Sequence, residues 1–418
     1  MRHQSRRAIL KGIGVSSTVG LAGCIADDGG NGGDSDGLPE TVKIGFIVPQ
    51  SGDFSSFGTT QIPAMEMAIS DFNDSDDILS DTTLEVVVSD NQSDSQVSLS
   101  ETNRLISQEN VDVIAGGGGS ATAGAIVNTT AENDIPFFMS VPTSVEWTSG
   151  ESCEMTTFRA NTHSGQVVEA CARFGAENLG DSTYLLVPDY NFGRNIVDVC
   201  EPVFNELGVE ILNTTFVPLN TQDYSSYIED IQSVDPDWLY EGLNTSVSPF
   251  LVQAGNRNLE YPMTGQYITP QMVGSLTPEQ FDRLPPLYRG SLRHSIEIDN
   301  GTNNQFVSRF RERVGRNPFF PGAVAYQTIQ LLAHALNESR STDVEDIHNT
   351  IDELSWQAPM GETTMRSCDH QGIVSPMYST QFTGVDTEEE WGEEEVVGKL
   401  DGEDLIMPCS QTHCNWDS

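Results

Sequence analysis

Residues 111–125, VDVIAGGGGSATAGA, set four consecutive glycines between an apolar run and a series of small and hydroxyl residues. A buried strand, a glycine turn and a helix start make an anion-binding loop. Free N–H groups of the first helical turn point at the ligand, and glycine lets the backbone come close. A nucleotide phosphate would call for Gly-Lys-Ser/Thr after the glycines, whereas Gly119 is followed by Ser120-Ala121-Thr122. A dinucleotide would call for Gly-x-Gly-x-x-Gly after the first strand and an acid at the end of the next. Here the loop follows the third predicted strand, Thr122 takes the last glycine's place, and the next strand ends Ser140-Val141-Pro142. A carboxylate fits what remains: the N–H groups of Ser120, Ala121 and Thr122 and two hydroxyls. The plain alternative is a tight turn with Ser120 as a helix cap.

Little else in the chain could do chemistry. It has no Gly-x-Ser-x-Gly and no His-Glu-x-x-His, and His163, His294, His334 and His370 are scattered. Carboxylate pairs discriminate nothing among 62 acidic residues. Cys409, His413 and Cys414 could begin a metal site, but it lacks a fourth ligand. The residues therefore describe a binding protein, not an enzyme, with no cofactor and no metal.

The elements that carry the glycine loop alternate. TVKIGFIVP, TLEVVVSD, VDVIAGG and IPFFMS read as strands, with helical spacing over 62–73, 96–110 and 121–133. The pattern restarts with a helix at 167–179, then STYLLVPD, a helix at 194–207, VEILNTTFVP, a helix at 224–233, PDWLYEG, a helix at 248–256 and YPMTGQY. Long helices follow at 304–314 and 323–337. Such alternation gives α/β architecture, with parallel sheets covered on both faces. At 418 residues the chain suggests two such lobes, later segments returning to the first. Ligands of these sheets bind beyond the carboxyl ends of the strands. The expected division is 41–157 plus about 295–357 for lobe 1, and 158–294 plus about 358–383 for lobe 2. An acidic extension containing EEEWGEEE, read as a solvated tail, would occupy 384–418.

The first 24 residues, MRHQSRRAILKGIGVSSTVGLAGC, read as an export leader. Arg6 and Arg7 resemble a twin-arginine signal, and Leu21-Ala22-Gly23-Cys24 a lipobox with Cys24 as the lipidated residue. Residues 25–40, rich in Gly and Asp, would be a flexible tether. The protein is then expected to be exported and anchored to the outer membrane face. Net charge is −42, and removal of Arg2, Arg6, Arg7 and Lys11 with the leader would take it to −46. That field disfavours nucleic acid. Its spread along the chain suggests life in molar salt, where charges are screened within a few ångströms. Of the six remaining cysteines, Cys409 and Cys414, five apart, are the favoured disulfide. Cys171 and Cys200 lie on successive predicted helices and could pair, leaving Cys153 with Cys368.

With these segments in order, the chain resembles the branched-chain amino-acid (Leu/Ile/Val-type) family of type I periplasmic binding proteins. The resemblance covers about 42–378 and rests on KIGFIVPQSGDFSSFG, VDVIAGGGGSATAGA, IPFFMSVPTS, LVPDYNFGRN, FVPLNTQDYSSYIEDIQSVDPDWLYEG and APMGETTMRSCDHQGIVSPMY. It implies two doubly wound lobes joined by crossing strands around a ligand cleft. It also implies a receptor, expected to be monomeric, that delivers a small solute to an ABC permease and its ATPases. Carried over, Ser120, Thr122 and the Ala121 N–H would hold the ligand carboxylate. Val141 and Thr143 or Ser144 would add a carbonyl and a hydroxyl. Phe54 and Trp147 would shape the first lobe's wall, and Tyr190 and Phe192 would close from the second. Asn244 and Tyr267 should face the cleft.

One feature departs from the family. Amino-acid binders place an acid near the position of Tyr267, and Gly265-Gln266-Tyr267-Ile268 offers none. Either the ligand lacks an amine, as an amide, urea or carboxylate would, or another acid serves; Asp189 and Glu241 are nearby in sequence. A sensory receptor for a membrane transducer is the rival role on the same fold.

Overall fold

The computed structural model describes residues 37–414 and 416, except 244–246 and 291–293. The expected leader with Cys24, the tether up to residue 36 and Asn244 lie outside the described residues.

The first sheet contains β1 (Thr41–Val48), β2 (Thr83–Asp90), β3 (Val113–Gly116), β4 (Phe137–Met139) and β5 (Thr157–Arg159). All pair in parallel, in the order β2-β1-β3-β4-β5. The first three crossovers contain α1 (Ser55–Asn73), α2 (Ser95–Ser107) and α3 (Ser120–Asn133). A parallel sheet covered by helices must be apolar on both faces. β1 shows how the sequence does this: Val42, Ile44, Phe46 and Val48 enter one core, and Ile47 enters the opposite one with Ile126 and Phe137.

The chain then builds a second sheet. In order come α4 (Ser164–Asn178), β6 (Ser182–Pro188), α5 (Asn191–Leu207), β7 (Glu210–Val217), α6 (Ser225–Val234), β8 (Trp238–Glu241) and α7 (Val247–Asn256). β9 (Met263–Thr264), α8 (Pro270–Gly274), α9 (Pro278–Phe281) and β10 (Leu287–Arg289) follow. α10 (Gly301–Val314), α11 (Phe320–Ser339) and α12 (Val344–Thr350) return to the first sheet, where Phe306, Phe310, Ile329 and Ile347 join the core of β1 and α1. β11 (Ser355–Ala358), β12 (Gly361–Met365) and β13 (Gly372–Ser375) form a small antiparallel sheet. Finally β14 (Met377–Asp386) and β15 (Trp391–Leu400) make a hairpin, followed by the short α13 (Cys409–Thr412). The second sheet has seven strands in the order β15-β14-β10-β9-β8-β6-β7, and β14 runs antiparallel to both neighbours.

Three findings differ from the sequence expectations. First, β12 and β13 pack with β11 on the first sheet, not with the second. Trp356, Ala358 and Met365 join its core, and Gln371 bridges to Arg159 at the end of β5. Second, the described part of the expected acidic extension, from residue 384 to 414, is not a solvated tail. β15 is an edge strand whose alternation buries Glu394 while Glu393 and Glu395 face water. Glu394 can be inside because Arg289 donates to both its oxygens, at 2.8 and 3.0 Å. The hydroxyls of Thr380 and Ser295 donate to it at 2.7 and 3.1 Å.

Third, the disulfides are Cys153–Cys414 and Cys368–Cys409, not the expected pairs. α13 and the left-handed backbone at His413 (φ 57°) turn the chain between Cys409 and Cys414 and send them to different partners. Both are used by sulfur bridges and cannot serve a metal. Cys171 and Cys200 are fully buried and not disulfide-bonded, on helices packed together in one core. The bridges carry the chain from the second sheet's hairpin back to the first. There Met407 accepts from Arg366 at 2.8 Å, and the Trp416 ring lies 4.2 Å from that of His370.

Two predictions follow from these contacts. Removing one native bridge with Cys368→Ser/Cys409→Ser should lower stability by about 2–4 kcal/mol, read by urea denaturation in molar KCl; an unchanged midpoint would contradict this role. The second concerns His294, which is buried with Nε2 2.9 Å from Asn303 Oδ1. Burial, with a smaller push from Arg289 and against the Asn303 hydrogen bond, lowers its pKa from 6.5 to about 4. As pH falls through 6.5 the unfolded chain takes up this proton first, so stability declines until the folded site also protonates near 4. At pH 5 the loss from this residue should be about 2 kcal/mol. His294→Gln should flatten the stability profile over that window, and an equal slope in both proteins would refute it.

Candidate functional site

The carboxyl ends of β1, β3 and β4 bring three loops of the first sheet together. Part of the glycine run serves the loop's own packing. Gly117 has φ 102° and faces the Pro142 ring, and a Cβ on Gly118 would sit 2.3 Å from Pro49. Gly119 is the helix N-cap, with Phe54 alongside: a Cβ there would meet the ring at 3.5 Å. Phe54 is 39% exposed and packs against Phe57, so it forms a wall and is not buried in the core.

The hydroxyl residues of the loop divide their work. Ser120 Oγ accepts from the N–H groups of Thr143 and Ser144, each at 3.2 Å. Its own proton remains to be donated. Thr122 turns inward instead: its hydroxyl donates to the Gly119 carbonyl at 3.0 Å, and its N–H reaches the same oxygen at 3.2 Å. That corrects the reading of Thr122 as a ligand for the carboxylate; Ser120 and Ala121 stay at the rim. Val141 is buried against Val324, Met360 and Val374. Trp147 is corrected too. It packs in the first sheet's core against Ile126 and Met139, with its ring over Gly124, because the 3₁₀ turn at Val145–Thr148 folds it behind α3.

Sequence reasoning missed the residue that fixes these loops. Arg159, fully buried at the end of β5, donates through Nε to Gln371 Oε1 at 2.7 Å and through Nη1 to the Ser144 carbonyl at 2.7 Å. Nη2 donates to the Thr148 hydroxyl. Gln371 in turn donates to the carbonyls of Asn161 and Gly372, at 2.7 and 2.8 Å. The signal was an arginine inside the apolar segment TTFRA, where a lone charge needs a network of acceptors.

On the second sheet, Tyr190 and Phe192 open α5, with rings 5.8 Å apart. Phe192 meets Tyr267 edge-on at 5.6 Å. Three aromatics thus gather at the carboxyl ends of β6 and β9. Asp189 is a surface acid paired with Arg194 at 2.8 Å. Glu241, the last residue of β8, is wholly buried, and among the described residues neither of its oxygens has a hydrogen-bond partner. Burial holds its carboxyl well above the usual carboxylate range, opposed by the nearby Leu243 N–H, which falls short of hydrogen-bonding geometry. A separate polar cavity of about 440 Å³ lies beside the hairpin, lined by Glu297, Arg311, Asn317 and Glu389 among others, and contains none of these residues.

Comparison with known proteins decides what this arrangement belongs to. The periplasmic binding protein family model matches residues 41–387. The chain belongs to that family. Among relatives, the Leu/Ile/Val-binding protein homolog 4 of Brucella melitensis is 20% identical over 347 residues, spanning 79% of this chain and 82% of the relative. Homolog 7 of Brucella abortus is 24% identical over 345 residues, spanning 78% and 83%. Among solved structures, the Brucella ovis leucine-, isoleucine-, valine-, threonine- and alanine-binding protein superposes with a TM-score of 0.79 at 20% identity, covering 89% of this chain and 98% of that one. A Rhodopseudomonas palustris solute-binding protein in complex with 3,4-dihydroxybenzoic acid gives 0.75 at 20% identity, covering 89% and 100%. As a member of the periplasmic binding protein family, the chain is a binding protein and not an enzyme.

If Arg159 fixes the 142–148 loop, Arg159→Lys should cost about 3 kcal/mol in urea denaturation and open that loop to limited proteolysis. Wild-type stability and the wild-type cleavage pattern would show that the network is dispensable.

Proposed function

We propose that this protein is the extracytoplasmic receptor of an ABC importer, held to the outer face of the membrane through lipid on Cys24. It captures a small polar solute, a branched-chain or other hydrophobic amino acid or a related amide or carboxylate. Ser120 and the N–H groups of Ser120 and Ala121 receive the solute's carboxylate. Phe54 walls the first side, and Tyr190, Phe192 and Tyr267 cover the solute from the second sheet. Thr143 and Ser144 are held at the same place by their bonds to Ser120 Oγ. Closure is then selected by a solute that touches both sides at once. The closed form docks on a permease and its ATPases, and the acidic surface suits concentrated salt.

What supports this reading is the difference in chemistry between the carboxyl ends of the two sheets. A rim of N–H and hydroxyl groups ends the first sheet, and a cluster of aromatic rings ends the second. That matches a solute with a carboxylate at one end and an apolar body. The Brucella relatives are named for leucine, isoleucine and valine, which supports the amino-acid class.

A thermal-shift screen of residues 40–418 in molar KCl tests the proposal with amino acids, amides, urea and small carboxylates. A solute at a hundred times its Kd adds about 2.7 kcal/mol of stability, a rise of several degrees. Branched-chain amino acids should give the largest rise. No shift with any member of the panel would remove the importer-receptor reading.

A further inference from the structure

Resting on that reading, we infer that Glu241 is a specificity-determining residue: with the Gln266 amide, its carboxyl forms the second sheet's receptor for a cationic amine on the solute.

The other buried acids among the described residues are paired. Glu394 is surrounded by Arg289, Thr380 and Ser295, and Asp369 by Arg366. Each is satisfied, as an acid with a structural role has to be. Glu241 is the exception. It ends the apolar run Trp238-Leu239-Tyr240, and among the described residues both its oxygens are buried without a partner. It lies beside Leu186 of β6 in the sheet, at the carboxyl end of the central strands.

Its neighbours on the next strand are shaped for it. Gly265 follows β9, and a Cβ there would lie 2.0 Å from the Glu241 carbonyl oxygen and 3.1 Å from its Oε2. Only glycine leaves that space. The next residue, Gln266, also has both side-chain polar atoms buried and unpartnered. The one after is Tyr267, which packs on Phe192. Among the described residues, Glu241 and Gln266 together leave four buried polar atoms without a partner, next to the aromatic group assigned to the solute. Three of the four are oxygens, which accept from an ammonium once the carboxyl is ionised, and the fourth, Gln266 Nε2, is a donor.

The electrostatics add a consequence. No charged side chain contributes to the upward shift of Glu241, which comes from burial alone. Without solute, burial thus favours the protonated form of this carboxyl. An ammonium arriving beside it restores the carboxylate, and the proton leaves to solvent. Binding of an amine-bearing solute therefore releases a proton. A carboxylate without an amine, such as the dihydroxybenzoic acid bound to the Rhodopseudomonas protein, would not release one.

Calorimetry in buffers of different ionisation enthalpy tests this with L-leucine and its deaminated analogue, 4-methylpentanoate. The wild-type protein should bind leucine with release of up to one proton. Glu241→Gln, which keeps shape and removes the charge, should weaken leucine about 30-fold or more and leave 4-methylpentanoate unchanged or tighter. The proton count is measured on the wild-type chain, so it stands whether or not the variant folds. Leucine binding without proton release, or with an affinity untouched by Glu241→Gln, would overturn the inference. Binding of 4-methylpentanoate alone would overturn it while leaving the solute-receptor reading intact. Binding of neither, after a silent thermal-shift panel, would overturn both.

Discussion

The loops at the first sheet's end depend on one buried guanidinium. Arg159 has no contact with solvent, yet it reaches Gln371, Ser144 and Thr148 from the end of a three-residue strand. A buried cation demands oriented acceptors, and only one placement of the 142–148 loop supplies them. That placement puts the N–H groups of Thr143 and Ser144 onto Ser120 Oγ. The same arginine ties the loop to Gln371, just ahead of β13. A site formed from separate loops is thereby fixed by a shared interior network, so the solute need not order it on arrival.

The second constraint is the route of the chain. After α12 it forms β11–β13 against the first sheet, crosses to give the second sheet two more strands, and comes back to be bonded through Cys409 and Cys414. The buried Arg289–Glu394 pair anchors the hairpin that makes this possible. Surface ion pairs such as Arg194–Asp189 contribute little by comparison, because exposed pairs are worth under about 1 kcal/mol and salt screens them further. A chain with so few basic residues places its best-satisfied charges inside.

How much of this was legible in the sequence follows the physics of each signal. Strands such as TVKIGFIVP were legible because burial on both faces forces a continuous apolar run. The turn from β3 into α3 was legible because an apolar run followed by glycines and hydroxyl residues ends a strand and starts a helix. Trp147 was not, since a large aromatic serves a core as well as a wall, and the 3₁₀ turn that decides between them leaves no pattern. Thr122 failed likewise: its hydroxyl found a carbonyl three residues back. The disulfides depended on the path of residues 401–414, which spacing does not encode. β15 was hidden because an acidic run suggests solvation, and only the opposing Arg289 explains why Glu394 points inward.

The central claim is that one solute is held between the loop at 119–121 and the aromatics at 190, 192 and 267. Hydrogen exchange read by mass spectrometry, in molar KCl with and without a saturating amino-acid mixture, tests it most directly. The account predicts joint protection of peptides covering 117–124, 141–148, 188–194 and 263–268. Protection confined to one sheet, or to the cavity beside residues 383–394, would contradict it.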